Sequence, residues 1–447
     1  MSAPVLERAI RLPHATAMVV GTIIGASIFV QPSEITGRVP TVGGVLAVWA
    51  VCGVLTLFGA LVSAELASTF PESGGVYAFL REAFGPWLGF LWAWAMFWTM
   101  HTGIIAAIAT VFARYMGYFA PLGDTGTKAV AMAAILLLSA VNYRGVKHGS
   151  VLQTVFTAGK VLAILAIIAL GFAFGADAHA RAAAAASVPG TWGAEDFALA
   201  LVAGLFAFGG WHMVTYNAEE THDPRRTVPR ALLVGVLVVT GCYVALNAVY
   251  LWLLPMDVVA TSDRVAADAA DAVFGRGGGA AMSALVVFST FGAVSGIVLA
   301  GPRVYFAMAR DGLLPAWVGA VHPRYHTPHR AIVLQAVWAC VLVGTGTYRA
   351  LFTRVVYTEW IFFGLMAVGL LLLRRRPDVR RDYGVWGYPW VPLAFAVSAF
   401  AIVANQVAVE PAESLVGLGL VLAGLPVYHL WARRGYTRSA PNASDTP

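Results

Sequence analysis

The chain has 447 residues, 59% of them hydrophobic and only 12% charged. A soluble domain carries about a quarter charged residues, so this composition excludes one and points to an integral membrane protein. The net charge of +6 lies in the loops between apolar runs, which reads as membrane topology and excludes a nucleic-acid surface.

Apolar runs of about 20 residues, the length a helix needs to cross a bilayer, recur along the whole chain. They occupy 14–36, 42–69, 87–118, 127–143, 150–175, 196–219, 230–254, 280–308, 330–348, 351–373, 389–408 and 413–432. Runs this long do not fit the alternating ten-residue strands of a membrane β-barrel. The expected fold is therefore all-α integral membrane, with 12 transmembrane helices.

Residues 1–13 lack the pattern of a cleaved signal peptide and read as a cytoplasmic N-terminus. The first span, Gly21-Thr22-Ile23-Ile24-Gly25-Ala26-Ser27-Ile28-Phe29 at its centre, is broken by glycine. Gly21 and Gly25 permit backbone that a regular helix disfavours. Unwinding there exposes the N–H groups of a half-helix near Ala26, Ser27 and Ile28, which suit a carboxylate. The plainer alternative is that glycines four apart simply let two helices pack closely.

The first five spans make one block, 14–175, and Lys160 lies midway along the fifth. A Lys at the centre of a spanning helix costs about 2.5–3.5 kcal/mol on insertion scales, so it calls for a polar partner. Snorkelling to an interface is a poor fit at that depth. Lys160 is thus a candidate coupling residue and proton carrier. Beyond an alanine-rich connector at 177–187, the sixth span carries a second break, Phe206-Ala207-Phe208-Gly209-Gly210-Trp211. The half-helix ending near Phe206 to Phe208 has free carbonyls that suit an ammonium.

Paired interrupted helices at matching places in two halves mark the substrate site of a secondary transporter. The second block is 196–373, and because five is odd it inserts inverted relative to the first. Two spans at 389–432 and a polar cytoplasmic tail at 433–447 complete the chain. An anion-holding break and a cation-holding break together predict a zwitterionic substrate.

His212 follows the second break directly, and Glu359 stands near the middle of the tenth span. A carboxylate at membrane depth is functional by default. Glu359 reads as a contact to a polar or cationic substrate side chain, or as a proton carrier; a structural pair with Lys160, His101 or His212 is the alternative. His212 is either a pH-sensitive group or a satisfied core histidine, and His101 reads as structural. Glu65, Glu219 and Glu220, with Arg144, Arg225 and Arg303, read as ion pairs at one membrane face. Most of the 29 Lys and Arg, including Arg8, Arg11, Lys147, Arg226 and Arg374 to Arg376, fall on the side that holds both termini, which makes that side cytoplasmic. Cys52, Cys242 and Cys340 lie inside spans, so no disulfide framework is expected. No CxxC or HExxH spacing occurs, so no metal site, cofactor or catalytic group is expected.

The segment GTIIGASIFV, the loop Pro71-Glu72-Ser73-Gly74-Gly75-Val76-Tyr77, the stretch FGGW with Glu219-Glu220, Asp223-Pro224 and Pro229-Arg230-Ala231, and Ala309-Arg310-Asp311-Gly312-Leu313-Leu314-Pro315 recur in order. Together with the arginine-rich loop 374–388, they resemble the amino acid–polyamine–organocation superfamily, and within it the L-amino-acid transporter branch. The resemblance implies a LeuT-type fold, a 5+5 inverted repeat with broken helices 1 and 6, working by alternating access. It implies that Ile23, Phe206 and Gly209 hold the α-ammonium, with Phe206 as an outer gate. It places Gly25, Ala26 and Ser27 at the carboxylate end, Ser27 standing where the family has glycine. It also implies that Lys160 replaces a sodium ion by bonding to spans 1 and 8, and that His212 stands where the family has asparagine. The expected function is a sodium-independent permease for neutral L-amino acids in the plasma membrane of a bacterium, by exchange or with protons. Transport of a cationic amino acid or polyamine is the alternative, resting on Glu359, and a transport-dead sensor is a further one; an enzyme is not expected. Animal members pair with a glycoprotein through a cysteine between spans 3 and 4. The segment 120–126 here has none, so no disulfide-linked heavy chain is expected.

Overall fold

The computed structural model describes residues 6–432 apart from 26, 30, 185–190, 263, 276, 347, 378 and 380. Among the described residues there is no strand, only one isolated parallel bridge between Ile10 and Thr221. In lipid every backbone polar group must be satisfied inside the chain, which leaves helices as the way to cross.

Among the described residues, twelve apolar helices follow one another. They are α1 (Leu12–Ile23), α2 (Val42–Thr69), α3 (Pro86–Met116), α4 (Asp124–Tyr143), α5 (Val146–Phe174), α6 (Ala194–Glu220), α7 (Pro224–Leu253), α8 (Ala280–Arg310), α9 (His329–Thr345), α10 (Tyr357–Leu373), α11 (Trp390–Val409) and α12 (Pro411–Trp431). Nine are long and apolar enough to cross a membrane; α1, α9 and α10 are shorter, the last continuing a helix that begins at Tyr348. The chain is therefore a multi-pass membrane protein. Most predicted boundaries lie within a few residues of the observed ends.

The span at 14–36 is interrupted as expected: α1 stops at Ile23, a 3₁₀ turn covers Ser27–Phe29, and a new helix runs from Gln31 to Arg38. One expectation needs correction. The connector at 177–187 is helical over Ala176–Ala184, with Ala178 buried, rather than an exposed run throughout.

Packing relates the two blocks. Helix α1 packs on the second half of α6, α2 along α7, α3 along α8 and α4 along α9, so each meets the helix five places on. Within α3 a π turn at Met96–Met100 shifts the helical register and turns His101 inward, where it is fully buried. Such single π turns recur at functional sites. At one end of the bundle, Ala9 and Ile10 donate their N–H groups to the Glu220 carbonyl at 2.9 Å, and His222 N–H returns to the Ile10 carbonyl at 2.8 Å.

Candidate functional site

The first break has a clear division of labour between its glycines. A Cβ on Gly21 would stand 2.0 Å from Gln153 Nε2 and 2.2 Å from Thr157 Oγ1, so Gly21 serves the close approach of α5. Gly25 has only ordinary neighbours, Ala293 Cβ at 3.9 Å being the nearest, and it serves the unwinding. Ile24 leaves the helix with φ −71° and ψ 93°. Ser27 begins the 3₁₀ turn with ordinary backbone, since Asp223 and His326 are the non-glycine residues with positive φ among those described. The replacement of glycine by Ser27 therefore costs no left-handed strain. Ala26 lies outside the described residues. The α-helical restart comes at Gln31, later than the expected donors at 26–28, so near Ser27 the N–H groups belong to a 3₁₀ turn.

The first half of α6 ends at Ala207, and the chain turns through Phe208–Gly210 into a 3₁₀ helix at Trp211–Glu220. Gly210 adopts φ +99°, open to glycine and unfavourable for other residues. The Phe206 carbonyl already accepts from Gly209 N–H at 3.2 Å, and its side chain is 38% exposed.

The two breaks touch. Thr22 Oγ1 lies 3.1 Å from the Gly210 carbonyl oxygen, and also 2.7 Å from that of Met18. The Tyr243 hydroxyl, from α7, is 3.1 Å from the Ile23 carbonyl and 3.2 Å from that of Ala207. It has one proton to donate, so it serves one carbonyl or the other at a time. Neither Thr22 nor Tyr243 stood out in the sequence; the signal was a phenol in mid-span, which needs a partner when buried.

Lys160 is fully buried and donates to the carbonyls of Gly21 at 3.0 Å and Ile24 at 2.7 Å. An ammonium at the C-terminal end of a half-helix is favoured by the dipole and by the unpaired carbonyls there. The expected partner on α1 is present; among the described residues no bond to α8 is formed.

Glu359 Oε1 lies 3.5 Å from His212 Nε2, so of the three expected partners it meets His212. His212 sits edge-on to Trp92, Trp211 and Tyr216, and against Phe363. His101 Nε2 lies 2.9 Å from the Ile297 carbonyl, in keeping with a structural role.

The Glu220 end of the bundle is closed by ion pairs. Glu220 and Arg303 are both fully buried, with bonds at 2.6 and 2.7 Å. Glu219 pairs with Arg310 at 2.7 Å, and Glu65 with Arg374 at 2.5 Å. Arg81 joins Glu72 and Asp311 across the loop. Burial pushes the Glu72 carboxyl above the usual carboxylate range, while the Arg81 charge pulls the other way. Among the described residues, Arg303 is the one expected base that takes Glu65, Glu219 or Glu220; Arg225 pairs with Asp382 instead. A cavity of about 330 Å³ opens beyond the first break, lined by Phe29, Arg114, Tyr115, Arg264 and Met282.

Ile23, Ser27, Phe206 and Gly209 thus belong to two breaks that face one another, with Lys160 behind the first and His212–Glu359 beside the second. Two discontinuous helices that meet at their breaks are the arrangement from which many secondary transporters build a substrate site. Residues 10–419 match the amino acid permease family, and the chain belongs to it. It is 31% identical to the serine/threonine exchanger SteT of Bacillus subtilis (strain 168) over 96% of this chain and 98% of that protein. It is 32% identical to the Asc-type amino acid transporter 1 of Mus musculus over 95% of this chain and 81% of that one. The cystine/glutamate transporter of Homo sapiens is 29% identical over 95% and 85%. These relatives are transporters, and the chain is an amino acid permease, not an enzyme.

Proposed function

We propose that the protein is a sodium-independent exchanger of neutral L-amino acids that works by alternating access in the plasma membrane of a bacterium. The observation that carries this reading is the facing pair of breaks, tied to each other through Thr22 and Gly210 and through Tyr243. The turn at Ser27 takes the substrate carboxylate, with Gly25 opening the break before it. The carbonyls of Ile23 and Phe206 and the open backbone at Gly209 take the ammonium. Phe206, exposed over the second break, is the outer gate. Glu359 borders the substrate's side chain. Lys160 stands in for a sodium ion by neutralising the carbonyl end of α1.

The packing of α1 to α4 on the helices five places later supports the inverted repeat of 14–175 and 196–373 within twelve spans. The ion pairs at the Glu220 end, on the arginine-rich side, are the closed cytoplasmic gate, with both termini on that side. Exchange is favoured by the serine/threonine exchanger among the relatives. For a cationic amino acid or polyamine Glu359 is the argument, and its place against His212 weighs against its serving as an unshared anionic site.

Counterflow in proteoliposomes tests the reading. Loaded unlabelled serine, threonine or leucine is expected to drive entry of labelled substrate without sodium. Binding without counterflow points to a sensor, and counterflow only with arginine or putrescine to the cationic reading.

A further inference from the structure

The cavity beyond the first break joins unpaired positive charge to an apolar wall. Its volume of about 330 Å³ lies in the range of about 300–1,000 Å³ typical of small-molecule sites. Arg114, in the last turn of α3, and Arg264, just before the short helix Val265–Phe274 between α7 and α8, both line it. Among the described residues no acidic side chain lines it, and Arg114 has neither an ion pair nor a hydrogen bond. Arg264 Nε meets Asp268 at 3.4 Å, and that carboxylate also accepts from the Ser262 hydroxyl at 2.5 Å. A guanidinium has five N–H donors, so this one contact leaves most of Arg264 open. Two guanidinium charges against one carboxylate leave a net +1. Phe29, Met282 and Val286 line the same cavity and are buried. One arginine at a helix C-terminus is ordinary. Two, from separate elements, converging on a concavity with apolar walls have the makeup of a ligand site.

The cavity also sits where an entering substrate would pass. Phe29 closes the 3₁₀ turn Ser27–Phe29, so an occupant rests against the end of that turn. Ser283 lines the cavity near the start of α8, and Arg303 near the other end of α8 makes the Glu220 pair. From Ser283 to Arg303 the helix runs about 30 Å, at 1.5 Å per residue. The cavity therefore lies at the end of the bundle away from the closed ion pairs. Taking the permease reading as given, we propose that it is a second binding site on the entry route, for a carboxylate carrying an apolar chain, which Arg114 and Arg264 hold before it moves on to the two breaks. The two sites ask for different things. The breaks take a carboxylate and an ammonium together, whereas the cavity offers cations to the one and no acidic side chain to the other. A carboxylate without an amine therefore fits the cavity and not the breaks, and an amino acid uses both in turn.

The probe is 4-methylpentanoate, which is leucine without its amine. Calorimetry on the full-length protein in detergent is expected to show it binding at least about tenfold more tightly than acetate, which has no chain to bury against Phe29 and Met282. Arg114→Gln is expected to weaken that binding at least about tenfold, the loss that goes with a hydrogen bond to a charged group. Arg114 has no contact to lose among the described residues, so this variant tests the charge and not the fold; Arg114→Lys, which keeps the charge, is expected to restore most of the binding. Gly209→Ala, which narrows the space between the breaks, is expected to bind the probe as the wild type does. In proteoliposomes the probe is expected to slow entry of labelled leucine, and Arg114→Gln to require at least about tenfold more probe for the same slowing. The proposal is overturned if the wild type does not bind the probe, if Arg114→Gln binds it unchanged, or if Gly209→Ala is the variant that loses it. Binding that leaves leucine entry at its full rate overturns the place on the entry route. Binding through Arg114 in a protein that shows no counterflow of any amino acid overturns the permease reading instead.

Discussion

Thr22 and Gly210 bring the two breaks into contact. The single proton of the Thr22 hydroxyl is shared between the Met18 carbonyl at 2.7 Å and the Gly210 carbonyl at 3.1 Å, and a Cβ on Gly210 would lie 3.0 Å from the Thr22 carbonyl oxygen. At Gly209, one residue earlier, a Cβ would meet only the Phe206 carbonyl oxygen, at 3.3 Å.

Adjacent glycines should therefore respond differently. Gly210→Ala forces a side chain onto φ +99°, a conformation that costs at least about 1–2 kcal/mol for an L-residue, and pushes α1 away. It is expected to lower thermal stability in detergent and to abolish exchange. Gly209→Ala is expected to fold normally and to raise the KM for exchange, because the added methyl enters substrate space. Equal melting temperatures for the two variants would contradict the geometry.

Lys160→Met removes both bonds from α1 and leaves the Gly21 and Ile24 carbonyls buried and unpaired. Hydrogen bonds to a charged donor contribute about 1.5–3 kcal/mol each. The variant should be less stable, with exchange reduced at least about tenfold. Undiminished exchange in proteoliposomes would rule out a role for this cation in holding the break.

At the Glu220 end, truncating one member of the fully buried Glu220–Arg303 pair strands the other charge, at a cost of about 3–5 kcal/mol. Glu220→Leu and Arg303→Met should each lower the melting temperature sharply, and the double variant should lose less than the sum. A double-mutant cycle on thermal stability measures that difference, and additivity would show that the pair is not coupled.

Tyr243→Phe deletes only the hydroxyl that lies between the Ile23 and Ala207 carbonyls. A neutral hydrogen bond contributes about 0.5–1.5 kcal/mol, which corresponds to a KM increase of about two- to tenfold with the fold intact. Initial exchange rates over a substrate series check it; an unchanged KM would mean that the hydroxyl does not set the spacing of the two carbonyls.

Much of this architecture is legible in sequence because lipid leaves a chain few options. Apolar length marked the helices, and a lone Lys160 in a spanning segment announced that something polar must meet it. Two glycine-containing interruptions marked the candidate site for the same reason. What stayed hidden depends on which surfaces meet. Gly21 and Gly25 look alike in sequence, yet only the approach of Gln153 and Thr157 assigns one to packing and the other to unwinding. The partners of Glu65 and Glu219 were misassigned because many arginines share that membrane face and charge alone does not choose among them. The restart at Gln31 was missed because a 3₁₀ turn leaves no period of its own.

The stitch between Ile10 and Glu220–His222 makes the start of the chain part of the machinery. Any displacement of the second half of α6 must either carry residues 9 and 10 with it or break three backbone hydrogen bonds. Glu7, two residues before the stitch begins at Ala9 and exposed, is a natural attachment point for a fluorophore, whose distance to a second dye on α4 would then record movement of this end of the bundle in single molecules.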